Sequence, residues 1–96
     1  LEELETEEVQ THYEVSLIRA GCYQIKEEHE RAISAAKKAI ELEPDLPEPY
    51  FIASDGYLSS GEIDEALGLL KQFQDRNPGY GPINEMTQDI APLRQT

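Results

Sequence analysis

The chain has 96 residues with 20 acidic against 8 basic side chains and a formal net charge of −12; this is one small domain, able to bury roughly 60–65% of its unfolded-chain surface. That size argues against a large internal pocket, and that charge repels phosphate backbones and anionic lipid, so nucleic acid is not expected as a partner. Cys22 is the single cysteine, which leaves no intrachain disulfide and no thiol cluster for zinc or iron–sulfur, and no run reaches the roughly eighteen apolar residues of a membrane span.

The compartment stays open. A chain that begins at Leu1 instead of Met is expected to be an excised piece of something longer. Its first ten residues, LEELETEEVQ, hold five acids and no base. Residues 1–11 therefore read as an acidic tail or as the end of a preceding helix.

Thr11 and Glu14 form a T-x-x-E capping box, followed by Val15, Ile18, Cys22 and Ile25 at three- and four-residue spacing, which predicts a helix over about 12–26 with Cys22 at a helix contact. A second helix is expected over about 28–42, with acids at its start, Lys37 and Lys38 in its later half and Pro44 beyond its end. Asp45 is a candidate N-cap for a third helix at about 47–59, whose first turn tolerates Pro47 and Pro49 because those N–H groups have no intrahelical acceptor. Gly61 supplies the positive φ that ends it, and a fourth helix runs over about 62–76 before Asn77 and Pro78. In PINEMTQDIA, Ile83, Met86 and Ile90 make one stripe, so a fifth helix is predicted at about 82–91, stopped by Pro92.

Sliding the chain by 34 residues superposes Glu14 on Glu48, Ile18 on Ile52, Tyr23 on Tyr57, Glu28 on Glu62, Ala32 on Ala66, Lys37 on Lys71 and Pro44 on Pro78. Chance supplies about two identities in such a window, so the chain carries an internal repeat at a known solenoid period. The similar pairs Ala20 with Ser54 and Ile33 with Leu67 add to it.

The two copies resemble tetratricopeptide repeats. In the second, Tyr50, Ser54, Tyr57, Gly61, Ala66, Leu70, Phe73 and Pro78 occupy the family's places; in the first, Ala20, Tyr23, Ala32, Ala36, Ala39 and Pro44 do. The resemblance implies an all-α fold of antiparallel helix hairpins, with repeats at 12–46 and 47–80 and a capping helix and tail at 81–96. It implies that Ala20, Tyr23, Ala32, Tyr57 and Ala66 pack the repeats, small residues allowing helices to approach closely, and that Pro44 and Pro78 end the second helix of each pair. The first copy departs from the pattern: Ser16 replaces an aromatic, Arg19 stands on an apolar place and Glu27 replaces the turn glycine. Its first helix is expected either to pack less tightly or to shift by about a residue so that Ile18 takes the buried place.

Residues suited to catalysis are sparse. His12 and His29 fall on different helices, no H-x-x-x-H, C-x-x-C or H-E-x-x-H spacing occurs, and Gly79 and Gly81 have no following Lys to make a phosphate loop. No enzymatic activity, metal or cofactor is expected. By resemblance, a concave groove is lined by Glu14, Leu17, Gly21, Gln24 and Ile25 from the first copy and by Glu48, Phe51, Asp55, Leu58 and Ser59 from the second. Relatives that capture a chaperone's C-terminal carboxylate use Lys and Asn there; this chain has neither. The expected partner is a protein or peptide segment that is apolar with basic residues. The alternative is that Leu17, Phe51 and Leu58 are core, or are covered by a second copy or by the rest of a longer protein, the module serving assembly.

Overall fold

The computed structural model describes residues 6–95. Among them the chain is all-helical, with α1 (Thr6–Ile25), α2 (His29–Leu42), α3 (Glu48–Ser59), α4 (Ile63–Arg76) and α5 (Gly81–Ile90), followed by a 3₁₀ turn over Ala91–Gln95. Each helix packs on the next, and α1 also touches α3, so these two lie together on one side of α2.

The second to fifth helices fall within a residue of their expected bounds, because capping and breaking chemistry is local. The first does not. α1 starts at Thr6, and Thr11 is no cap: its Oγ donates to the Glu7 carbonyl at 2.9 Å from inside the helix. Residues 6–11 of the expected tail are thus helical, while 1–5 lie outside the described residues. Asp45 does not cap α3 either. Pro47 holds that position, and the Asp45 carboxylate turns away to Arg76 and Asn77 at the end of α4. Pro92 ends α5 but not the helical winding, since it enters the first turn of the 3₁₀ segment, where a missing N–H costs nothing.

The turns repeat in detail. After α1, Glu27 adopts φ 60°; after α3, Gly61 adopts φ 78°. At both, the next N–H reaches back five residues, from Glu28 to the Tyr23 carbonyl at 2.9 Å and from Glu62 to the Tyr57 carbonyl at 2.8 Å. A second bond closes each turn, Glu27 to Gln24 and Gly61 to Leu58, both 3.0 Å. These are Schellman closures.

The core contains Ala20, Ala36, Ile40, Tyr50, Ala53, Leu69, Leu70, Phe73, Ile83 and Ile90. Tyr50, Phe73 and Tyr80 stack edge-on in series, with ring centroids 4.9 and 5.5 Å apart, and the Tyr50 hydroxyl donates to the Pro44 carbonyl at 2.7 Å. Burial raises the pKa of that phenol. Gly56 of α3 lies close against α2, where an added Cβ would stand 2.7 Å from Ile33 Cγ1 and 3.4 Å from the His29 carbonyl.

The face of α1 is a correction. Val15, Ile18 and Ile25 are 42, 65 and 83% exposed, and Cys22 is exposed as well. The buried side carries Tyr13 and Ala20, at 3 and 0%, flanked by half-buried Ser16, Leu17, Tyr23 and Gln24. Ile18 has therefore not shifted inward. The buried stripe thus combines a small side chain, Ala20, with a large one, Tyr13, while the β-branched residues of the other stripe stay outside.

Two stability measurements test this packing. Glu27→Gly relieves a left-handed residue and should raise stability by about 0.5–1 kcal/mol, read as a higher urea midpoint at unchanged slope. Gly56→Ala would gain about 1 kcal/mol in an open helix, but against Ile33 it should lose about 1–3 kcal/mol. Adding Ile33→Ala should then cost less than it does alone, with a coupling of about 1 kcal/mol.

Candidate partner-binding surface

α1 carries Glu14, Leu17 and Gln24, and α3 carries Glu48, Phe51, Asp55 and Leu58. The two helices meet, and one pair of these residues is bonded directly: Gln24 Nε2 donates to Asp55 Oδ2 at 3.0 Å. Glu14, Glu48 and Asp55 are exposed, whereas Leu17, Phe51 and Leu58 are half-buried. Phe51 and Leu58 pack on the core cluster. Of these residues, then, the acids are exposed and the apolar side chains are partly covered by protein. Of the other groove residues, Gly21 is half-buried, while Ile25 and Ser59 are exposed at the helix ends.

The packing residues divide by size. Ala20, Ala32 and Ala66 are at most 1% exposed, and Ser54, equivalent to Ala20 across the 34-residue shift, is buried with its hydroxyl unpartnered among the described residues. Tyr23 and Tyr57 are half-buried and each meets a cation of α2. Arg31 lies 5.9 Å from the Tyr23 ring centre; Lys37 lies 5.9 Å from that of Tyr57 and donates to its hydroxyl at 3.2 Å. Such contacts satisfy the charge and cover the ring together. Pro44 is half-buried and Pro78 exposed; their carbonyls accept bonds from Tyr50 and Asn84.

Asp45 joins the α2–α3 loop to the end of α4. Arg76 Nε donates to it at 2.8 Å and Asn77 Nδ2 at 3.2 Å. The hydrogen bond from Arg76, then that from Asn77, holds the Asp45 carboxyl below its usual range. Both side chains are exposed, so the pair aligns the loop more than it stabilises the fold.

Tyr13 was not singled out from the sequence, although its spacing to Leu17 and Ala20 was a usable signal. It is buried on α1 with its hydroxyl unpartnered among the described residues. Burial first, then the negative charges of Glu48 and Glu43, pushes this phenol up from 10.0 to about 12.

Elsewhere, a shallow cleft of about 450 Å³ between α1 and α2 is edged by Arg19, Tyr23, Arg31, Ser34 and Lys38. Among the described residues, no three His, Cys, Asp or Glu side chains gather as a metal ion would need. No helix of the described residues is long and apolar enough to cross a membrane. No protein-family model matches the chain, and no curated protein matches it significantly in sequence.

Because the folded state holds Tyr13 neutral, its contribution to stability is whole below pH 10 and is lost as pH rises towards about 12. Tyr13→Phe should therefore show a shallower fall in urea midpoint above about pH 10 than the parent chain. Equal slopes would place the titrating group elsewhere.

Proposed function

We propose that the chain is a protein-interaction module built of two tetratricopeptide-type helix hairpins, α1–α2 and α3–α4, with α5 as cap. In this reading it holds a peptide or helix of a partner against the faces of α1 and α3 and does no chemistry of its own. The observation that carries the reading is the 34-residue echo of the backbone. Glu27 and Gly61 share a left-handed turn closed by the same two hydrogen bonds, and the small residues that follow, Ala32 and Ala66, are both buried. A repeat that returns in its turns as well as in its side chains builds stacked hairpins, and stacked hairpins present a continuous face.

The chemistry of that face sets the partner. Glu14, Glu48 and Asp55 on the rim select Lys or Arg, while Leu17, Phe51 and Leu58 offer partly open apolar area. Charge on the rim governs encounter and register; the apolar centre governs residence.

The test is selection from a displayed peptide library, scored for composition. Apolar peptides with flanking Lys or Arg should be enriched. Glu48→Lys and Asp55→Lys together should weaken the selected peptides about tenfold or more while leaving the melting curve close to the parent's, because both side chains are exposed. Phe51→Ala is the poorer probe, since it also removes packing from the core. Selection of acidic peptides, or indifference to the charge reversals, would refute the reading.

A further inference from the structure

Of the outward stripe of α1, only Ile25, at the helix end, falls among the expected groove residues. Val15, Ile18, Cys22 and Ile25 are exposed over three turns of the longest helix. Thirty-four residues later the equivalents of the first three are Pro49, Ile52 and Gly56, and none of these is exposed. Gly56 lies against Ile33 of α2. On α3, then, this face is covered by a helix. On α1 no described residue covers it.

We propose that this face pairs with the same face of a second copy, as a short parallel coiled coil of α1 with α1. The spacing of Thr11, Val15, Ile18, Cys22 and Ile25 is four, three, four and three residues, the seam of a heptad repeat with Val15 and Cys22 at a and Ile18 and Ile25 at d. The flanks carry the argument for a second copy. On one side stand Glu7 and Glu14, at g; on the other stand His12 and Arg19, at e, all four exposed. Neither Glu7, Glu14 nor Arg19 forms an ion pair among the described residues.

In a parallel pair, each g residue faces the e residue five positions on in the other helix. Glu14 then meets Arg19 of the second copy and Glu7 meets His12 of the second copy, each twice by symmetry. In an antiparallel pair g faces g, setting Glu14 against acid, and e faces e, setting Arg19 against base. The face is complementary to itself in one orientation only.

The seam from Thr11 to Ile25 spans about 22 Å, too short to hold two free peptides together. Here α1 is already kept helical by α2, so pairing does not have to order it. The net charge of −12 on each copy opposes association at long range and limits the pair to about micromolar affinity or weaker.

Sedimentation equilibrium of the 96-residue chain, taken up to about 200 µM, provides the test. A concentration-dependent dimer is expected. Ile18→Asp should abolish it with an unchanged circular-dichroism melt, the side chain being 65% exposed. Glu14→Arg alone and Arg19→Glu alone should each weaken it about tenfold. An equimolar mixture of those two variants should restore it as a heterodimer, because opposite charges again meet at both crossings. Mild oxidation should link Cys22 to Cys22 in the parent dimer, since residues at a face their own kind across a parallel axis. A strict monomer at the highest concentration, as expected if a preceding helix of a longer chain is the natural occupant, overturns the proposal. So does a dimer that survives Ile18→Asp, or a mixture no more associated than its components.

Discussion

Close approach of helices through small side chains is the constraint on which the rest of this protein depends. Gly56 leaves no room for a methyl group beside Ile33, and Ala20, Ala32, Ala36, Ala39, Ala53 and Ala66 are all buried to 1% or less. Close packing fixes helix separation sharply, because dispersion falls steeply across even a small gap. The turns, the aromatic series and the surface all take their positions from that separation.

The two halves meet the constraint differently. On α2 itself the buried residues are three alanines and Ile40. Around α4 they include Leu69, Leu70 and Phe73, joined by Tyr50 and Ile83. Apolar stabilisation scales with area, at about 25 cal/mol per Å², so the second half contributes most of the hydrophobic free energy. The first half draws on tight contact and on the tyrosine–cation pairs of Tyr23 with Arg31 and Tyr57 with Lys37. Among the described residues, Glu27 is the one left-handed residue that is not glycine.

α1 consequently works with two faces. Its inner side is built from Tyr13, Ala20 and the half-buried Leu17, and meets α2 and α3. Its outer side carries Val15, Ile18, Cys22 and Ile25, exposed among the described residues. A helix apolar on opposite sides is normal where neighbours stand on both, as they do for α3. On α1 the same pattern has described neighbours on one side alone, which leaves its outer stripe apolar and exposed.

By itself the amino-acid sequence determined the helical class, four of the five helix spans, the 34-residue period, the positive φ of Gly61 and which alanines would be buried. These follow from caps, breakers and periodicity, which act over a few residues. Only the tertiary structure decided which stripe of α1 turns inward, since Val15–Ile18–Ile25 and Tyr13–Leu17–Ala20 have the same helical spacing and differ in how they fit α2. It also decided that Asp45 joins Arg76, that Phe51 and Leu58 lean on the core, and that Gly56 lies against Ile33. Those outcomes depend on what stands opposite a residue, and that partner lies far away along the chain.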